Sequence, residues 1–415
     1  MTRDPINPTR AWALLLEGQV FDEWTSAELT RDIEDMAGSF SFELRDWARS
    51  WNAFPFATLA GYKDMVTAGL EAEIRIDGET VLIGWVDTIN PSAGEDGASV
   101  SISGSDKSRD LIDGAATVDG PNEYLGKTMD EIGQEIVKPY GLTWRSEIDV
   151  GKPFERYVLE PGETALSALE KGLRQRAGLL TSDGVGGLVV TRTGGRRTSP
   201  LRFPGNVTSS SGEVTVEGRH SEYRVKGQAE KAGGKRGKSA KHDAQKPLDS
   251  TAQPLFMRAA AEDRRAEHER AGVSIDGKAT DPQMQRYRPL VTLGRTQLTD
   301  DGAQQQAEWM ERTSRGRAEK LDYEVKGYRN EDGALWRPNE ISAVSDAFQG
   351  VERDMLIAGI TYRYDENSGE ATSLRITSPE AYDTEPVGNR RTNRQKSGKK
   401  AGASDGPLDS TAQPL

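Results

Sequence analysis

Residues 70–113 read LEAEIRIDGETVLIGWVDTINPSAGEDGASVSISGSDKSRDLID. Ile74 and Ile76 alternate with charged neighbours, Asp77-Gly78 supplies a tight turn, and Val81, Ile83 and Trp85 alternate on the way back. Asp87 leads into a Pro/Gly-rich loop, after which Val100, Ser101, Ile102 and Ser103 form a strand that stops at Gly104. A period of two over successive short runs predicts strands with one face buried and one wet, as in a small antiparallel barrel or sandwich.

The same texture extends upstream. AWALLLEGQV (11–20) suits a first strand, and Thr30 with Ile33 a second. Phe40, Phe42 and Leu44 make a third after a break at Gly38. The stretch up to about Val66 is a long crossing that carries Trp47, Trp51, Phe54 and Phe56. Such an aromatic cluster could stack on carbohydrate, but burial in a core or a subunit contact suits it better.

Downstream of Asp113 helix and strand mix. Met129, Ile132 and Ile136 recur at helical spacing until Pro139, and Leu166, Leu169 and Leu173 repeat the pattern between an N-cap at Thr164 and a stop at Gly178. GLLTSDGVGGLVVTR (178–192) reads as a hairpin that turns at Asp183-Gly184. Its glycines precede a strand rather than a helix N-terminus, which argues against a phosphate cradle. Strands return at Val214 and Val216 and at Tyr223 and Val225. Residues 230–255 are rich in Lys, Gly, Ala and Ser and read as flexible, while FMRAAAEDRRAEHERAG (256–272) is helical with a thin apolar face. A helix from about Gly302 leads into a strand bearing Leu321, Tyr323 and Val325, and Met355–Tyr364 with Thr372–Ile376 make a closing hairpin.

Five pieces in this order carry a family resemblance: MAGSFSF (36–42), IGWVD (83–87), VSISG followed by SDKSRDLID (100–113), RQRAGLLTSDGVGGLVVTR (174–192) and LWRPN (335–339). Over roughly residues 8–378 the chain resembles the baseplate hub proteins of Mu-like contractile-tailed phages, whose barrel type also occurs in the spike hubs of type VI secretion systems. The resemblance implies a mainly β fold with α+β: two tail-tube-like antiparallel β-barrel domains flank a small α+β domain and form a trimeric pseudo-hexameric ring. The first barrel would occupy residues 1–112, the α+β domain 113–205 and the second barrel 206–380. A flexible or helical insertion would lie at about 230–300, and 381–415 would be a basic tail. It also implies a structural role, adapting a six-fold tail tube to a three-fold spike. The implied partners are a homotrimer, the tail tube or distal tail protein, the spike protein and the tape measure protein. No cofactor is implied. DNA would pass through the channel without specific binding, in a virion tail assembled in the host cytoplasm. The hub of a contractile secretion or injection particle is the first alternative. A peptidoglycan-binding or degrading tail protein is the second, since the helix–strand units are similar to LysM modules.

Composition narrows the classes further. The chain has 415 residues, 35% of them apolar, with 44 glycines and no cysteine, so neither a disulfide framework nor a thiolate metal site is available. The N-terminus MTRDPINPTR has no apolar signal segment, and no apolar run approaches the ~18 residues that cross a bilayer, so synthesis and folding in the cytosol are expected. Net charge is −12, unevenly spread: residues 231–246 and 386–406 are each +5, which leaves −22 for the rest. An acidic body repels phosphate backbones and disfavours specific nucleic-acid binding, though the basic segments could attract DNA at low salt. No H-E-x-x-H, G-x-S-x-G or P-loop is present, and the histidines are His220, His242 and His268 alone. Asp106, Lys107 and Asp110 cluster at the end of the opening stretch, where capping and turning the chain suits them better than chemistry. The protein reads as not an enzyme.

One feature stands apart. PLDSTAQPL occurs twice, at 247–255 and at 407–415, each time after a basic glycine-containing run. A duplicated linker without a role is the plain explanation. The sharper one is a tethered docking peptide, with Pro247, Pro254, Pro407 and Pro414 fixing an extended backbone and Leu248, Leu255, Leu408 and Leu415 as anchors. Two peptides per chain in a trimer make six, enough to occupy a six-fold neighbour.

Overall fold

The computed structural model describes residues 11–21, 24–46, 67–94, 97–117, 122–228, 274–294 and 300–384. They fall into two compact units, one running to Arg219 and resuming at Arg312, the other spanning His220 to Glu311.

Seven strands come first: β1 (Trp12–Leu16), β2 (Gln19–Phe21), β3 (Ser26–Asp32), β4 (Ser39–Asp46), β5 (Glu71–Ile76), β6 (Glu79–Gly94) and β7 (Gly97–Asp106). They pair antiparallel in the order β3-β4-β7-β6-β5-β1-β2. Alternation sets the inward rows: Trp12, Leu14 and Leu16, then Ala27 and Leu29, Phe40 and Phe42, Ile74 and Ile76, and Val100 and Ile102 are all buried. On β6 the expected phase is corrected. Val81 is buried as expected, but beyond it Leu82 and Val86 are the buried residues with Gly84 between them, whereas Ile83 and Trp85 are only half-buried. A bulge between Ile74 and Arg75 adds a residue and turns the row over. Gly84 stands in that row because a Cβ there would collide with the Ser105 carbonyl, so a glycine hides the inward face in the sequence. The expected loop after Asp87 is also corrected, since β6 continues to Gly94. Pairing with β5 ends at Trp85, so among the described residues Pro91 lies where β6 borders β7 alone, the place in a sheet where proline is tolerated.

The α+β segment contains α1 (Arg109–Asp113), β8 (Glu123–Leu125), α2 (Met129–Val137), β9 (Thr143–Ser146), β10 (Arg156–Val158), α3 (Ala165–Arg174), β11 (Leu179–Ser182) and β12 (Gly187–Thr191). Thr128 and Glu131 form a reciprocal capping box on α2. Thr164 caps α3, accepting from the Ser167 N–H at 3.2 Å. The helix stops at Arg174 rather than at Gly178, because Ala177 takes the left-handed conformation (φ 52°). Gly178 instead packs against Leu173 and Val190. Met129, Ile132, Ile136, Leu169 and Leu173 form one core with Leu188 and Val190 of β12.

The strands β13 (Arg196–Arg197), β14 (Leu201–Phe203) and β15 (Val207–Val214) follow. Next come β16 (Glu222–Gln228), β17 (Ser274–Thr280) and β18 (Pro289–Leu293), which make a separate three-stranded sheet in the order β17-β16-β18. Tyr223 and Val225, in SEYRVKGQ (221–228), therefore belong to a small sheet of their own, and the stretch at about 230–300 expected to be flexible or helical contains two strands. Val225 packs under α4 (Asp300–Arg317) against Ala303 and Ala307. The last strands are β19 (Glu319–Lys326), β20 (Glu340–Asp346), β21 (Val351–Asp365) and β22 (Gly369–Thr377).

β21 changes partner along its length. It pairs with β20 up to Ile357 and with β3 from Gly359 onward, with a bulge at the change. Fourteen strands thereby form one sheet along the path β15-β19-β22-β21-β3-β4-β7-β6-β5-β1-β2, with β20, β13 and β14 branching from β21. Two separate closed barrels were expected. Among the described residues neither closes, and β2 and β15 end the path without an outer partner. One core serves both halves, joining Trp12, Phe42, Tyr323, Tyr362 and Ile376. The chain is thus mainly β with few helices, as expected. Trp47, Trp51, Phe54, Phe56 and the 256–272 segment lie outside the described residues.

Candidate functional site

Three segments far apart in sequence converge on a cavity of about 310 Å³ whose lining includes Arg31, Asp106, Arg145, Glu147, Ser182 and Trp336. The ends of two inward rows supply the first segment. Arg31 follows Ala27 and Leu29 on β3, and Asp106 follows Val100, Ile102 and Gly104 on β7, so each polar side chain occupies an inward position just where the apolar core stops.

The glycine-rich turn of the α+β segment docks onto these ends. The Ile83 N–H donates to the Gly184 carbonyl at 2.7 Å, and Arg31 Nη2 donates to the Ser182 carbonyl at 2.8 Å. Ser182 Oγ donates to Asp106 Oδ2 at 2.9 Å. Gly184 has φ +83°, and a Cβ on it would lie 2.7 Å from the Val81 carbonyl oxygen, so only glycine permits this approach. Asp183 holds the turn by accepting from the N–H groups of Val185 (2.9 Å) and Gly187 (2.8 Å). Gly184 thus serves backbone docking, whereas a Cβ on Gly186 would meet open space.

The LWRPN turn closes the third side. Asn339 sits at φ 66°, accepts from the Gly194 N–H at 2.8 Å and donates through Nδ2 to the Arg192 carbonyl at 3.1 Å. Tyr362 donates its hydroxyl proton to the Trp336 carbonyl. Across the shared core, Trp12 Nε1 donates to Tyr328 Oη at 2.7 Å, and the two rings meet edge-on at 5.9 Å.

The electrostatics are those of a joint. Burial pushes the Asp106 carboxyl up, against hydrogen bonds from Ser108 and Ser182. Burial also draws the Arg31 guanidinium down, against the pull of Tyr362, Asp106 and Asp183. Glu147 pairs with Arg145 (3.1 Å) and Arg196 (2.6 Å), and Glu79 with Arg337 (3.3 Å). A perturbed carboxyl in a cavity is a candidate for acid–base chemistry. Here, however, both Asp106 oxygens are already engaged by serine donors. Lys107 pairs with Glu71 at 3.0 Å and lies over the Trp85 ring, and Asp110 accepts from Trp85 Nε1 at 3.0 Å. The three polar residues thus cap and lock the exit from β7. Among the described residues no group of three His, Asp or Glu is placed to hold a metal ion. His220 lies edge-on to Tyr223 at 5.5 Å, and His242 and His268 fall outside the described residues. So do Pro247, Leu248, Pro254, Leu255, Pro407, Leu408, Pro414 and Leu415.

The three converging segments match known families in the same order. Residues 12–106 match the N-terminal domain described as Mu phage baseplate assembly protein GpP-like. Residues 108–192 match the second domain of baseplate hub protein gp44-like sequences, and 299–385 the fourth domain of the Mu phage baseplate assembly protein GpP. Baseplate hub protein gp44 of Escherichia phage Mu is 28% identical over 404 residues, which is 96% of this chain and 94% of that protein. The chain belongs to the Mu-like baseplate hub family. This hub is therefore a structural component of a phage baseplate and so of the virion tail. Its fold superposes on the 43 kDa tail protein of prophage MuSo2 from Shewanella oneidensis with a TM-score of 0.72 at 27% identity, covering 90% of this chain and 99% of that one. The tail protein from Neisseria meningitidis MC58 has the same fold, with a TM-score of 0.66 at 19% identity over 91% of this chain and 99% of that one. No helix among the described residues is long and apolar enough to cross a membrane.

Motif reading found the glycine turn and the LWRPN turn but missed Arg31, Ser182 and the Trp12–Tyr328 bond. A signal for Arg31 was available, because a charged residue in phase with Ala27 and Leu29 breaks the inward row.

Proposed function

We propose that three copies of this hub assemble into a ring that adapts a six-fold tail tube to a three-fold spike and encloses the channel through which DNA leaves. The observation that carries this reading is that each chain holds two strand systems, β1–β7 and β19–β22, joined edge to edge through β3 and β21. Three chains then present six strand systems, the number a six-fold neighbour requires. The outer sides of β2 and β15, unpaired among the described residues, are the edges that neighbouring copies would cover.

In this reading the tube-like barrels are completed in the assembly. They fall at residues 1–112 and 206–380, flank the α+β domain at 113–205, and carry the β16–β18 sheet as an insertion within the second. The tail tube or distal tail protein, the spike and the tape measure protein are the neighbours. The chain outside the two basic segments carries −22 and would let DNA slide past rather than adhere. The basic tail at 381–415 and the internal basic run each end in a copy of PLDSTAQPL, which serves as a docking peptide. No enzymatic step enters this role.

Light scattering with negative-stain imaging of the same fraction tests the proposal. The expected result is three times the 45.4 kDa chain mass, seen as a ring with an open centre, alone or on mixing with the tube and spike proteins. A chain that stays monomeric in that mixture overturns it.

A further inference from the structure

We propose that the open edge of β18 is the receptor for PLDSTAQPL, with the peptide adding to the sheet as a short extra strand. This rests on reading the two repeats as docking peptides and goes further by naming what they dock on.

β18 runs parallel to β16, and among the described residues no strand lies on its other side. The Arg288 carbonyl accepts from the Ser221 N–H, and the Gly294 N–H donates to the Lys226 carbonyl, so even-numbered residues turn their backbone groups towards β16. Residues 289, 291 and 293 therefore aim theirs outward: three carbonyls, with N–H groups on Val291 and Leu293 because Pro289 has none. The side chains beside this edge are apolar and in water. Val291 is 55% exposed, Leu293 79% and the nearby Tyr287 85%. Folded proteins blunt open edges with charge, and β17, the other edge of this sheet, does so with Asp276 and Lys278, the latter paired with Glu222 at 3.0 Å. An apolar, unblunted edge beside a charged one marks the side where another strand is received.

The repeat fits that side. Its prolines leave six residues with N–H groups between them, Leu248–Gln253 in the internal copy, to lie along the five residues of β18. Those prolines also end the ladder, so one peptide adds and no further strand follows. Seven residues apart in an extended strand, the two leucines of a copy fall on opposite faces, so one of them, Leu255 or Leu415, meets Val291, Leu293 and Tyr287. The one charge of the peptide, Asp249 or Asp409, finds exposed Lys226, which sits opposite Leu293 and has no carboxylate partner among the described residues.

The tethers reach. In the internal copy 18 residues separate the repeat from β16 on one side and 18 from β17 on the other, a span of up to roughly 60 Å each. The C-terminal copy follows the last described residue, Thr384, after 22 residues. Letter-for-letter identity of the two copies is what a single receptor demands of two ligands. With one edge and two peptides per chain, the two copies compete for the same receptor, and one copy per chain stays free for another partner.

The test uses the full-length chain with both repeats scrambled and a labelled synthetic PLDSTAQPL read by fluorescence anisotropy. Saturable one-to-one binding is expected, at least tenfold weaker when the receptor carries Val291→Lys with Leu293→Lys or when both peptide leucines are alanine. Both receptor positions are exposed, so circular dichroism of that variant should match the parent. The unscrambled chain should bind added peptide less well, because its tethered copies compete. Absence of saturable binding, or binding indifferent to the two lysines, overturns the assignment. Copurification with tail tube and spike proteins separates the two levels. If the peptide fails to bind but scrambling still weakens copurification, the receptor lies on another tail protein and the docking reading stands. If neither responds, that reading falls as well.

Discussion

Asp346 ends β20 with its carboxyl turned inward, accepting from Ser210 Oγ at 2.6 Å and from the N–H groups of Phe348 (2.8 Å) and Gln349 (2.9 Å). Burial pushes this carboxyl up, but those donors outweigh it and hold it below the ordinary carboxylate value. A depressed carboxyl adds stability that is fully present above its unfolded pKa and is lost as pH falls through its folded one. Asp346→Asn keeps the turn but gives up the charge. The gap in unfolding midpoint between parent and variant should therefore be open at pH 7 and close below about pH 4. A gap that is constant with pH would assign the effect to packing. Asp106 has the opposite sign, because burial raises it and its protonated form is the one that favours the fold as pH falls. Neither role was legible in a chain with 66 acidic residues, although Asp106 could be placed at a turn. What separates these two from the rest is inward position and nearby donors, and donors arrive from distant segments.

The turn between β11 and β12 shows what an element contributes beyond its own residues. Gly184→Ala would suffer both the left-handed backbone penalty and the collision with the Val81 carbonyl, whereas Gly186→Ala (φ 95°) meets open space and suffers the backbone penalty alone. Thermal unfolding should place Gly186→Ala about 1–2 kcal/mol below the parent and Gly184→Ala further down. Equal losses would mean that the turn does not dock tightly. At this scale the sequence was legible where period and turn chemistry agreed. Asp77-Gly78, the cap at Thr164 and the hairpin at Asp183-Gly184 all stand where the residues put them. It was not legible where one residue shifts the phase, as at the bulge beside Ile74, or where a strand's partner cannot be known locally. Tyr223 and Val225 alternate as any strand would, and nothing in SEYRVKGQ says that it joins a small sheet of its own. Sheet membership is set by long-range pairing, so alternation alone could not distinguish one shared sheet from two closed barrels.

For the whole molecule, charge segregation matters more than net charge. An electrophoretic shift of duplex DNA by the full chain should be absent at about 0.15 M salt. A weak shift at low salt should vanish when the Lys and Arg residues of 231–246 and 386–406 are changed to Gln. Retention by that variant would show that the body itself holds DNA, contrary to the proposed channel. The pairing of β3 with β21 also bears on how the chain is made. Roughly 320 residues separate the two strands, and at ribosomal speeds of about 5–20 residues per second the first half waits tens of seconds for its partner. Throughout that interval the nascent chain shows the cell an unfinished edge along Ser26–Asp32, which is covered only once Gly359–Asp365 of β21 has been made. Synthesis of this hub is thus a race between elongation and mispairing, and any stop before Val351 leaves a product in which β3 has no β21 to pair with.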